Sequence, residues 1–279
     1  MTRTRNSLLC PNCRRLISRD ERSCPYCGLS RPASWWKSVG VSLGGGPERL
    51  VRFIVWLNIG MYLLSLVLAP GGAARSINPL SFLSPSNGSL LLLGATGTYP
   101  IDRLDMWWSL LTANYLHGGI FHILFNMMAF WQIAPLVVQE YGASRMFVIY
   151  TIGGVVGYIV SYYVGIPFTI GASAAVCALI GALLYYGWSR GGSYGQAMFR
   201  MVGGWVVGLF LFGLLVPGIN NWAHGGGIAG GALLGMVLGY DERQKETVLH
   251  RTLGGICLVG TLAALAWVVV FALKNIFIQ

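Results

Sequence analysis

Charge is scarce in this chain. Of its 279 residues only 10% are Asp, Glu, Lys or Arg, and just nine are acidic. A water-soluble domain carries about 25% charged residues, so this surface cannot face water on all sides. The 55% hydrophobic content makes lipid the expected solvent. No internal repeat is present and no charge stands well inside an apolar run, which argues against a transporter or channel. His-Glu-x-x-His is missing, no intramembrane carboxylate completes an open zinc site, and paired aspartates are absent. Metalloprotease and aspartyl chemistry therefore drop out. The first apolar run begins near residue 50, too late for a cleavable signal peptide, so the first span is expected to direct insertion and stay in place.

Apolar stretches of spanning length, about 20 residues each, fall at 50–69, 117–138, 145–164, 171–188, 200–217, 222–240 and 253–273. They predict seven transmembrane helices. Residues 70–116 are too long for a turn and too rich in Pro, Asn, Ser and Trp for a span, which marks a functional loop or folded insert. Within it, 89–95 and 106–116 read as short helices at the interface, with Trp107 and Trp108 as headgroup anchors. Ten of the nineteen Lys and Arg precede residue 53. With the N-terminus inside, sixteen basic residues lie on the cytoplasmic side and only Arg75, Arg103 and Lys274 opposite. The basic tail fits an anionic leaflet, and nucleic acid is not expected as a partner.

The six cysteines are unevenly placed. CPNC (10–13) and CPYC (24–27) are two knuckles, and Cys10, Cys13, Cys24 and Cys27 together offer a closed tetrahedral site for structural Zn2+. Disulfides are the alternative, disfavoured in a reducing cytosol. A head this short (1–31, followed by a linker at 32–49) needs such a staple to order itself. Cys177 and Cys257 lie in spans and read as small buried hydrophobes.

Histidines are rarer still: His117, His122, His224 and His250. His250 reads as a solvated loop residue. His122 and Asn126 are four apart and share a helix face, either bonding a neighbouring helix or presenting donors to one point. His224 heads a helix striped by Gly227, Gly231 and Gly235, while Ser173, Cys177 and Gly181 line the fourth predicted span. Packing of those faces sets Ser173 opposite His224 near the non-cytoplasmic surface. A serine hydroxyl becomes nucleophilic beside a base such as imidazole, and donors like His122, Asn126 and the Ser173 N–H suit an oxyanion.

The segments WWSLLTANYLHGGIFHILFNM (107–127), GASAAVCALIGALL (171–184) and AHGGGIAGGALLG (223–235) resemble the rhomboid intramembrane serine proteases, over roughly residues 50–240. The resemblance implies an all-α polytopic membrane protein with a rhomboid-like six-helix core (50–240), to which this chain adds a charged loop and seventh, C-terminal transmembrane helix (241–279) and, from its cysteine spacing, the small zinc ribbon in front. It implies a serine-type endopeptidase cleaving transmembrane segments of membrane proteins in the lipid bilayer. Ser173 would be nucleophile, His224 base, and His122 and Asn126 oxyanion donors. His117 would brace the region, and Gly171 would let the loop turn tightly. An inactive relative that binds client helices without cutting them is the alternative. A bacterial cytoplasmic membrane, with the N-terminus cytosolic, is the expected location. Two positions depart from the family: Ala174 stands where glycine follows the nucleophile, and Ser109 where arginine follows tryptophan. The first is expected to narrow the oxyanion pocket or alter the helix start, the second to remove a brace of the loop.

Overall fold

Residues 7–10, 15–34, 48–68, 74–75, 82–216 and 218–277 are described by the structure, a computed structural model. The chain divides into two compact units, Met1–Ile54 and Val55–Gln279. In the first, strands β1 (Ser7–Leu9) and β2 (Leu16–Ser18) pair antiparallel with Leu8 opposite Ile17. The Cys10 N–H bonds the Arg15 carbonyl and the Cys24 N–H that of Leu29. Among the described residues the core under this ribbon is Cys10, Ile17 and Cys24, flanked by Leu8, Cys27 and Leu29. So small an apolar cluster cannot offset the ordering of its own chain.

Helix α1 (Glu48–Val67) crosses the unit boundary. Next come the short pair β3 (Ala74–Arg75) and β4 (Phe82–Ser84), then α2 (Asn87–Leu92), α3 (Thr98–Leu104), α4 (Ser109–Thr112) and one 3-10 turn at Ala113–Tyr115. The long helices are α5 (Ile120–Tyr141), α6 (Ala143–Tyr163), α7 (Ser173–Arg190), α8 (Gly192–Leu215), α9 (Asn221–Leu238) and α10 (Val248–Phe277). The fold is an all-α polytopic membrane protein.

Among the described residues five helices, α1, α5, α6, α8 and α10, are long and apolar enough to cross a bilayer. The other two predicted spans, α7 and α9, are 18-residue helices. Gly, Ser and Tyr in one, and Gly, Asn and His in the other, dilute their apolar character. They tolerate this because α7 is almost wholly enclosed by α5, α6, α8 and α9, and meets protein where other spans meet lipid. Glycine permits the enclosure. A Cβ on Gly231 would overlap the Ala178 carbonyl oxygen, and one on Gly181 that of Ile228. The α7 and α9 backbones therefore touch, and the Gly227/Gly231/Gly235 stripe lies in the seam.

Several local expectations change. The loop holds α3 and the β3–β4 pair besides the two predicted interfacial helices. Trp107 is exposed as an anchor should be, but Trp108 turns inward against α10, with ring centroids 6.2 Å from Trp267 and 6.5 Å from Phe271. His250 is not solvated: it is buried at the start of α10, its Nδ1 accepting the Thr247 N–H at 3.2 Å. Arg145, one of the sixteen basic residues assigned to the cytoplasmic side, is fully buried in the first turn of α6. Its Nη1 donates to the carbonyls of Gly239 and Gln244, both at 2.8 Å, its Nη2 to Asp241, and its Nε to the Tyr141 carbonyl. Glu246 completes the clamp by accepting the Ser144 N–H at 2.8 Å. The α9–α10 loop is thus tied to the α5–α6 turn.

Candidate active site

Ser173 opens α7 and His224 lies in the first turn of α9. The two helices run parallel in matched register, Gly227 against Ala174, Gly231 against Ala178 and Gly235 against Ala182. At the top of this seam Ala174 and Ala223 belong to one buried cluster with Ala113 and Tyr158. Ser173 and His224 are the chain neighbours of that packed pair, so they stand at one level, at the same end of both helices. His224 is buried, and its Nδ1 has no hydrogen-bond partner among the described residues.

His122 comes in from α5. The Gly118 N–H donates to its Nδ1 at 3.2 Å, so a neutral ring carries its proton on Nε2. That Nε2 faces the loop before Ser173. A Cβ on Gly171 would lie 2.8 Å from His122 Nε2 and 3.6 Å from Ser173 Oγ. The missing side chain of Gly171 therefore leaves a small space shared by a hydroxyl and an N–H donor. Its φ of +127° independently demands glycine.

Asn126 is nearby but turned: its Nδ2 donates to the His122 carbonyl one turn back, at 2.9 Å. One of its two amide hydrogens is thus committed to its own helix. His117 is fully buried, its ring edge-to-face with His122 at 5.1 Å. It adjoins the site through His122.

Three supports were not visible in sequence. Tyr158, from α6, donates its hydroxyl to the Gly171 carbonyl at 2.6 Å, while the Gly171 N–H bonds the Ala113 carbonyl at 2.9 Å. Asn220 caps α9 by accepting the Ala223 N–H at 3.0 Å, and its amide donates to Ser161 at 2.6 Å and Thr169 at 3.1 Å. An Asn just before a helical run is the sequence signal for that cap. Finally, Thr96 and Thr169 pair through both backbone bonds, at 3.1 and 2.7 Å, joining the long loop to the segment before Ser173. The Ser109 hydroxyl donates to Thr96 Oγ1 at 2.9 Å, so Ser109 contributes its own tie where the arginine is missing.

The Ala174 methyl does not enter the space beside Gly171. It is fully buried against Ala113, Tyr158 and Ala223, and a Cβ on Gly157 would lie 3.1 Å from it. The expected narrowing of the pocket by this residue is replaced by an accommodation in the helix seam.

In the N-terminal unit, the sulfurs of Cys10, Cys24 and Cys27 lie within 4.8 Å of one another, with Cys10 and Cys27 3.6 Å apart. That exceeds any disulfide bond. It fits the separation of about 3.8 Å between thiolates on a tetrahedral zinc with bonds of about 2.3 Å. Cys13 lies outside the described residues.

The class is that of helical polytopic membrane proteins. A rhomboid domain model matches residues 104–241. The chain is 33% identical over 177 residues to the putative rhomboid protease YdcA of Bacillus subtilis (strain 168), covering 62% of this chain and 88% of that protein. It is 36% identical over 164 residues to the rhomboid protease GluP of the same bacterium, covering 57% and 31%. RHOMBOID-like protein 4 of Arabidopsis thaliana is 35% identical over 166 residues, covering 58% and 41%. This chain belongs to the rhomboid family. It spans only 31–51% of the length of three of the curated relatives it matches.

Proposed function

We propose that the chain is an intramembrane serine endopeptidase that cleaves transmembrane segments of membrane proteins with a Ser173–His224 dyad. The observation that supports this reading is the register of α7 and α9, with Ser173 and His224 at the same end of both helices and both Ser173 Oγ and His122 Nε2 close to the side-chain-free Gly171. His224 takes the Ser173 proton as Oγ attacks the scissile carbonyl. The negative charge that develops on the carbonyl oxygen falls to His122 Nε2–H, the Ser173 N–H and, after its amide turns, Asn126. His224 then returns the proton to the departing amine. Water repeats the sequence on the acyl-enzyme, releasing the acid and restoring the serine. Among the described residues His224 Nδ1 has no partner, which supports a dyad with no carboxylate behind the base.

In this reading residues 1–31 form a cytosolic zinc ribbon in which Cys10, Cys13, Cys24 and Cys27 hold a structural zinc. Residues 32–49 link it to the catalytic core at 50–240, and 241–279 add a seventh helix. The cytoplasmic membrane of a bacterium is the proposed location. The test is cleavage of a helix-destabilised membrane substrate by wild type and Ser173→Ala in reconstituted vesicles. Cleavage by wild type alone supports the protease. Equal, residual cleavage by both leaves a client-binding relative that does not cut.

A further inference from the structure

The seventh helix, α10, lies outside the region that matches the rhomboid domain, yet its two ends are fastened to different parts of the molecule. Near its start, Gly254 lets the backbone close on Ser144 at the α5–α6 turn. Near its end, Trp267 and Phe271 set their rings edge-on to Trp108. Between them Val268 is fully buried, its Cγ1 3.3 Å from where a Cβ on Gly94 would stand, and Ala272 is buried one turn on. Gly94 is held in turn by the Thr112 hydroxyl, which donates to its carbonyl at 2.9 Å. The α10 end therefore grips the long loop at α2 and at Trp108.

From Trp108 a continuous run of contacts leads to the base. Ser109, the next residue, bonds Thr96, Thr96 pairs with Thr169, Thr169 accepts from Asn220, and Asn220 caps the turn that carries His224. The links are hydrogen bonds, buried at Ser109–Thr96 and part-buried at Asn220, and such networks hold geometry where water is largely excluded. We propose that α10 is the external brace of this loop, and that Trp267 and Phe271 are positioning residues for His224 acting through Trp108 and this chain. The helix would thereby supply the anchorage that an arginine at position 109 does not. The inference rests on the protease reading for its catalytic consequence, but not for its structural one.

The experiment uses the full chain in nanodiscs, wild type and the variants Trp267→Ala, Phe271→Ala and Trp267→Phe, with Val259→Ala on the exposed face of α10 as control. Amide hydrogen exchange is read by peptide, and labelling of Ser173 by a fluorophosphonate probe is read as a rate. Each alanine variant should raise exchange in residues 94–116 by about tenfold, as expected when an aromatic contact is lost locally. Peptides from the lower halves of α7 and α9 should stay protected. Labelling should slow by about the same factor, while Trp267→Phe and Val259→Ala remain near wild type. Unchanged exchange at 94–116, or a rise spread evenly over the whole chain, overturns the brace. If wild type itself does not label, the protease reading fails, and exchange still decides the brace.

Discussion

Gly157 withholds a side chain where Ala174 keeps one. A Cβ at 157 would sit 3.1 Å from the Ala174 methyl and 2.6 Å from the Ala223 carbonyl oxygen. The alanine that replaces the family's usual glycine is thus absorbed between α6, α7 and α9, away from the space shared by Ser173 and His122. Gly157→Ala should cost about 1–3 kcal/mol by overpacking, read as a lower Tm. Ala174→Gly should cost about 1 kcal/mol and leave the cleavage rate no higher. An acceleration of about tenfold in Ala174→Gly would mean that the methyl obstructs the site after all.

Tyr158 holds the Gly171 carbonyl from behind. Tyr158→Phe removes that hydroxyl and leaves the carbonyl with a buried deficit of about 1–3 kcal/mol. The expected result is slower labelling of Ser173 and a lower kcat, with substrate KM little changed. A fall confined to KM would place Tyr158 in substrate binding. Gly171→Ala should be more severe. Its Cβ meets His122 Nε2 at 2.8 Å and its φ is strained for any side chain, so a loss of about 10²–10³ in rate is expected if the oxyanion pocket collapses.

Arg145 closes the opposite end of the molecule. Five groups around it accept its protons, namely Tyr141, Leu238, Gly239, Asp241 and Gln244. Arg145→Ala strands those acceptors and should cost about 3–5 kcal/mol. Arg145→Lys keeps the charge but presents one point in place of a fork, so it should not restore Tm. Exchange of the 239–247 amides should rise in both. Rescue by lysine would show that charge alone matters there.

The head should carry one zinc per chain. Metal analysis of the purified protein tests this, with Cys24→Ser expected to fall well below stoichiometry. Because a closed site offers no open position to a substrate, chelation should disorder the ribbon and leave cleavage by the membrane core unchanged. Loss of cleavage on chelation would give the metal a role in regulation.

What the sequence could convey divides along a physical line. Apolar runs of spanning length are local, and all seven predicted spans appear as helices, although α8 starts at Gly192, before the predicted 200. The repeat of glycines at 227, 231 and 235 is likewise periodic, and it meets α7 as expected. Contacts that depend on tertiary approach were not legible. Trp108 beside Trp107 has the pattern of a headgroup anchor, and only the position of α10 turns it inward. Arg145 at a helix start reads as a cytoplasmic-side charge, since nothing local signals that five oxygens converge on it. Asn126 has the right spacing from His122, yet that spacing equally suits the bond it makes to the His122 carbonyl. Tyr158 and Asn220 are single polar residues whose importance comes from which carbonyl or hydroxyl folds against them.

The most direct measurement is the labelling of Ser173 by a fluorophosphonate, located by peptide mass, in wild type and His224→Ala. An activated serine needs no substrate to reveal itself. The account predicts stoichiometric modification of Ser173 in the wild type and its loss in His224→Ala. No modification of the wild type, or equal modification of both, would contradict the dyad.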